Sequence, residues 1–322
     1  MLAGALGALA CATTARAGDT AATLPALASH PTIPPVSDAV KSTVVHIQAD
    51  DVMSDLSVHP RLVRDMIEES LRLLTNRDRP ADAWHAYLKP DDIIGIKFNH
   101  VGEDVINTTV PFATQLVDSL KRAGFAPDRI MLIEAPAHLQ RDLGTRRPPI
   151  GWSGPEVDFG SGSEQLSAVL QEATAIINVP FLKTHNIAGM TGCLKNLSHA
   201  LIRRPARYHG GGCAPYVGDI LALPQIRSKL RLHIMNALQI VFADGPAARL
   251  DTLWAHRGVI VSTDPVAIDT VGLEVLNVQR ARAKLPAIGN SLGQVPHVHA
   301  AAERGLGTDD QDYITLLEPR PF

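Results

Sequence analysis

The residues best suited to chemistry lie in one run of the chain. From Ala175 it reads AIINVPFLKTHNIAGMTGCLKNLSHALIRR, with Lys183, Thr184 and His185 where a strand should end. Thr191, Lys195 and His199 follow at intervals of four on a helix predicted over 191–203, whose inward stripe is Met190, Leu194, Leu197 and Leu201. In an open α/β sheet the carboxyl ends of the strands form the ligand crevice, and the first N–H groups of the next helix favour an anion. Lysines and histidines converging there bind carboxylate or phosphate. A lysine kept from water beside another cation also loses basicity, which suits it to move protons near neutral pH. An ordinary solvated helix face is the competing reading for Lys195 and His199.

A second strand end, in IIGIKFNH, carries Lys97 and Asn99, and Glu134 closes the next strand in MLIEAP. A Lys97–Glu134 ion pair in the same crevice is expected, either as structure or as part of the chemistry. A third strand end presents Asp244 in FADGP, read as the acidic member of the site. Asp264 precedes Pro265 and fits a helix cap, because proline at the first helical position has no N–H to satisfy. The candidate catalytic set is therefore Lys183, His185, Lys195 and Asp244. Candidate ligand-binding residues are Lys97, Asn99, Glu134, Thr184, Thr191, Asn196, His199 and Asp264. For a metal the candidates are His185, His209 and Cys213, the last two beside the glycines of HGGGC, with a set of His185, His209 and Asp244 as a further reading. His297 and His299 read as surface residues. HExxH, GxGxxG and the P-loop are all missing from the sequence.

These positions need strands and helices in alternation to hold them. Strands are predicted at 43–47, 93–98, 129–134, 175–180, 238–243 and 259–262. Helices are predicted at 60–75, 109–123, 164–172, 191–203, 217–236, 264–277 and 297–304. The glycine- and proline-rich stretch 145–163 reads as a long surface loop. The expectation is an α/β fold, a mainly parallel sheet flanked by helices, forming a single domain over 41–322 with long loop insertions.

The chain has 322 residues, a formal net charge of −3 and 4% aromatic residues, which excludes a basic field or stacking platform for nucleic acid. Only eight of its 30 basic residues are lysines, so each lysine in an apolar setting needs a reason. Residues 1–17 form an apolar small-residue run ending in Ala15-Arg16-Ala17, read as an export signal whose basic start is missing, as in a truncated twin-arginine leader. Residues 18–40, with Pro31, Pro34 and Pro35, read as an extended linker. A periplasmic or otherwise exported protein is expected, with no membrane span after the signal. Cys193 and Cys213 then remain, as one disulfide or two thiols.

Taken in order, IKFN at 96–99, the strand ending in Glu134, NVPFLKTHNIAGMTGCLKNL at 178–197, ADGP at 243–246, STDPVAIDT at 262–270 and AAERGLG at 301–307 resemble the domain-of-unknown-function-362 family. The resemblance runs from about residue 43 to the end. It implies an α/β fold and a shared pocket of Lys97, Asn99, Lys183, His185, Lys195, Asn196, Asp244 and Asp264. Some members of that family carry ferredoxin-like cysteine runs; this chain has none, so no iron–sulfur cluster is expected within it, and its cofactor is unknown. Two functions follow as expectations. One is an exported enzyme moving a proton on a small anionic partner molecule, with isomerase, lyase or metal-assisted hydrolase chemistry ahead of a dehydrogenase. The other is a periplasmic binding or maturation protein that turns nothing over.

Overall fold

A computed structural model describes residues 41–54, 57–289 and 294–319. The signal and linker segments expected over 1–40 lie outside the described residues.

In chain order the principal elements are β1 (Ser42–Gln48), α1 (Pro60–Thr75), α2 (Pro80–His85), β2 (Ile94–Lys97), α3 (Thr109–Arg122), β3 (Ile130–Ile133) and α4 (Ala137–Leu143). A hairpin of β4 (Trp152–Asp158) and β5 (Ser163–Ser167) follows, then β6 (Ala175–Asn178), β7 (Phe181–His185), β8 (Gly189–Thr191) and α5 (Cys193–Ser198). The rest comprises α6 (Tyr216–Ala222), α7 (Pro224–Arg227), β9 (Leu230–Val241), β10 (Leu253–Ser262), α8 (Pro265–Arg282), α9 (Pro296–Glu303) and β11 (Ile314–Leu317).

The main sheet has the order β11-β1-β10-β9-β6-β2-β3, with β7 also on β9 and β8 on β7. The half from β3 to β9 is parallel, while β10 runs antiparallel to both β9 and β1. Alternate residues feed two cores. Ile94, Ile96, Ile130, Leu132, Ile177, Val259 and Val261 pack under α1 to α4, whereas Met131, Ile133, Ile176 and Ile260 face the layer of α5 to α9. That two-sided cover is why these strands read as continuous apolar runs. The same alternation turns Lys97 away from Ile94 and Ile96, toward the layer that holds α5.

A break in the parallel half builds the crevice. β6 pairs with β2 as far as Asn178–Lys97, then Val179-Pro180 intervenes and the chain resumes as β7, which pairs with β9 and β8 and no longer with β2. Proline supplies no ladder N–H, and past it β2 has ended, so the sheet parts between β2 and β7. Lys97 stands at the end of one side and Lys183 within the other.

Four sequence expectations are corrected. Residues 217–236 are not one helix: α6 stops at Ala222, Pro224 starts the one-turn α7, and β9 begins at Leu230. Every residue from Leu232 to Val241 is buried, so the run has no amphipathic period to separate strand from helix. Residues 163–167 are a strand in which Glu164 and Leu166 alternate inward, leaving only Val169–Glu172 helical. The helix over 191–203 shrinks to α5, and Thr191 belongs to β8. The loop over 145–163 holds β4, pinned by Arg204 bonding Glu156 and Glu164. No described helix is long and apolar enough to cross a membrane.

Candidate functional site

Lys97 is buried at the end of β2, and its ammonium has three acceptors for three protons: Glu134 Oε2 at 3.0 Å, Asn196 Oδ1 at 3.1 Å and the Phe98 carbonyl. Burial pushes the amine down and the Glu134 carboxylate opposes that push. Burial alone would raise Glu134, but Lys97 and a 2.9 Å bond to His100 Nδ1 outweigh it and hold the carboxyl below its ordinary range. Glu134 reaches this position with φ at 54°, a left-handed conformation costing a non-glycine residue about 1 kcal/mol. Lys97 is thus a satisfied ammonium.

Asn196 of α5 knits the strand ends together. Its Oδ1 accepts from Lys97 Nζ and from Asn99 Nδ2 at 3.1 Å, and its Nδ2 donates to Asn178 Oδ1 at 2.7 Å. With those bonds made it positions its neighbours and has little left for a ligand.

Lys183 differs from Lys97. Its side chain is fully buried, and Nζ donates to Asn99 Oδ1 at 3.2 Å and to the Val101 carbonyl at 2.5 Å, both neutral, with no carboxylate bonded to it among the described residues. Burial, then the charges of Lys195 and Lys97, lower its pKa to about 7. A neutral amine has two N–H groups and one lone pair. The two acceptors match the two N–H groups, and the lone pair is left over. Thr191, opposite Lys183 in the β7–β8 register, has a buried hydroxyl without a hydrogen-bond partner among the described residues.

His185 ends β7 and turns back on its own chain, with Nδ1 accepting from the amides of Ile187 and Ala188, each at 3.1 Å. Burial, and then Lys195, lower its pKa to about 3, so the ring is neutral and its proton sits on Nε2. That makes it a hydrogen-bond donor. It is not a metal ligand, because metallating Nε2 would move the proton to Nδ1 and against two amide N–H groups.

Lys195 donates to His209 Nε2 at 3.2 Å, and His199 meets the same ring edge-on with centroids 4.8 Å apart. Burial lowers the Lys195 amine. Burial and the Lys195 charge bring His199 to about 3. His297, expected at the surface, is fully buried in α9. Cys193 and Cys213 are both free thiols.

Two acidic candidates lie elsewhere. Asp244 is exposed, with φ at 56°, and pairs with Arg249 at 3.5 Å; it bonds none of the lysines among the described residues. Asp264 caps α8 through the amides of Val266 and Ala267, and it also accepts from Ser42 Oγ and the Thr308 amide. Its lone pairs are spent on the fold. Thr184 accepts from the Gly245 amide at 3.0 Å, which fastens the Asp244 turn to β7.

The acid that does matter locally lies inside a helix and not at a strand end. Asp269, buried in α8, accepts from the amides of Cys193 at 2.5 Å and Leu194 at 3.0 Å. Burial raises it to about 7 despite those bonds. The N–H groups of α5 expected to hold a ligand anion are therefore already occupied. Gly192 is required by this contact, since a Cβ there would lie 2.2 Å from Asp269 Oδ1. A surface groove of about 540 Å³ beside His59, Arg61, Arg64 and Lys121 belongs to α1 and α3, on the other face of the sheet, and includes none of the site residues.

No curated protein matches the chain. Residues 155–274 match the family described as domain of unknown function (DUF362), a stretch carrying Lys183, His185, Lys195, Asn196 and Asp269. Over residues 155–274 the match supports the resemblance to the DUF362 family drawn from the sequence.

Proposed function

We propose that the crevice between β2 and β7 takes a small anionic molecule and that Lys183 moves a proton on it. The observation that carries this reading is the bonding of Lys183: two neutral acceptors, two neighbouring ammonium groups and, among the described residues, no bonded carboxylate. Among the described residues Lys97 is paired with Glu134, whereas Lys195 bonds a neutral histidine and no carboxylate, so positive charge in the crevice exceeds negative charge. An anion offsets it. The lone pair of Lys183 then serves as the base, the Thr191 hydroxyl offers an unused hydrogen bond, and His185 Nε2–H donates to an oxygen of the bound molecule. Carboxylates with an acidic C–H are the class that uses all these groups, which makes isomerisation or elimination the reaction type. Export of the protein is part of the proposal and is supported by the sequence of residues 1–17 alone.

The test is solvent-deuterium incorporation into a panel of small 2-oxo and 2-hydroxy carboxylates, read by proton NMR, with malonate binding followed by calorimetry. The wild-type chain should bind malonate and exchange at least one substrate. Lys183→Met should slow exchange by roughly 100-fold or more, and Lys195→Met should weaken malonate binding. Neither binding nor exchange in the folded wild type would refute the proposal.

A further inference from the structure

Beyond the lysine crevice, we propose that His199, His209 and Cys213 form a binding site for a borderline-soft divalent cation such as Zn²⁺, with solvent completing the coordination. One ligating atom from each of the first three lies within 4.8 Å of the others. Tetrahedral zinc holds such atoms about 3.5 Å apart, so a contraction of about 1 Å closes the set. Two imidazoles and a thiolate select zinc-like ions over magnesium or calcium, which take oxygen ligands.

The surroundings are those of a metal site. His199 gives its Nε2–H to the Tyr208 carbonyl at 3.1 Å, so Nδ1 carries the lone pair, which now accepts from Ser198 Oγ at 3.0 Å and would exchange that bond for the metal. The carbonyls of Pro205 and Ala206 likewise favour a proton on the His209 ring, and Nε2 is the nitrogen that accepts from Lys195. Metal-binding histidines are oriented in this way by backbone carbonyls on their far nitrogen.

An independent observation points to the same place. His297 is fully buried, and among the described residues its ring nitrogens make no well-formed hydrogen bond, with the Gly212 backbone their nearest polar neighbour. A buried polar group left unpaired costs about 1–3 kcal/mol and calls for a reason. The ring sits beside the Gly212 backbone, close enough for its charge to bear on His199 and His185. Gly212, with φ at 67°, lets the Cys213 loop lie against the start of α9, since a Cβ there would fall 2.5 Å from Pro296 Cγ.

Binding has a defined balance. The Cys213 thiol, raised by burial in the free protein, loses its proton to solvent as sulfur ligates. The ion also takes the His209 lone pair that Lys195 now uses, so Lys195 is displaced from His209.

The test uses Co²⁺ as a spectroscopic substitute for Zn²⁺ on the full chain. One Co²⁺ per chain is expected, with the intense visible bands of tetrahedral coordination and a thiolate-to-cobalt charge-transfer band. Cys213→Ser should abolish the charge-transfer band while the far-ultraviolet circular dichroism is unchanged. His199→Gln and His209→Gln should each weaken Zn²⁺ binding by about 100-fold or more. A folded wild-type chain without the charge-transfer band overturns the proposal, as does a band that survives Cys213→Ser.

Discussion

Replacing Lys183 with methionine should change how stability depends on pH, and the size of the change follows from the burial of the amine. Lys183 has a pKa of about 7 in the folded chain against an ordinary 10.5. Between those values the unfolded chain holds the proton and the folded chain has lost it, so stability rises with pH across the window. The contribution is fully present above 10.5 and is lost as pH falls through about 7. From pH 7 to pH 9 one such group adds about 2 kcal/mol, at about 1.4 kcal/mol per unit beyond the midpoint. Methionine fills the same length of crevice and has no proton to lose. Urea denaturation at the two pH values, followed by tryptophan emission from the buried Trp84, should show the wild type gaining about 2 kcal/mol more than Lys183→Met. Lys195→Met should move the wild-type window upward, because the Lys195 charge is the largest cause after burial of the low Lys183 value. Parallel pH profiles for wild type and Lys183→Met, within about 0.5 kcal/mol, would show that the lysine is an ordinary ammonium and remove the basis of the proposed proton transfer.

Glu134→Gln strips the carboxylate from a buried ammonium, and denaturation should report a loss of about 3 kcal/mol, most of it recovered in Lys97→Met/Glu134→Gln. A loss below about 0.5 kcal/mol would mean that Lys97 does not need its carboxylate. Gly192→Ala forces the Asp269 carboxylate off the amides of α5, so melting should fall by an amount equivalent to about 2 kcal/mol and malonate affinity should drop with it. Unchanged melting would show that the carboxylate moves without cost.

Most of the frame was legible because its signals are local. α1 starts at Pro60 and ends at Thr75, as the spacing of Met66, Ile67 and Leu71 requires, and the Lys97–Glu134 pair follows from two adjacent parallel strand ends. The helix cap at Asp264 was likewise written in Asp-Pro. β9 was hidden because a strand buried on both faces has no period to read. The site was partly hidden for another reason. Asp269 acts across 75 positions on Leu194, and nothing near it in sequence names the amides it will meet. An acid among Val266, Ala267, Ile268 and Val271 in a helix buried nearly all round was the available clue. His297 fell to the same problem: HVH reads as surface until the Gly212 turn is laid over it.

The hold of Asp269 on α5 gives the molecule an internal gauge. Lys195, Asn196 and His199 ride on a helix of six residues that is too short to persist by itself, and its first two amides are tethered to one carboxylate on α8. If the tether opens, those residues lose their common anchor together. The amide protons of Cys193 and Leu194 exchange with solvent only in such openings, so their exchange rates time how often the crevice comes apart. A bound molecule that requires the assembled crevice would slow both protons, and this could be followed before its chemical identity is known.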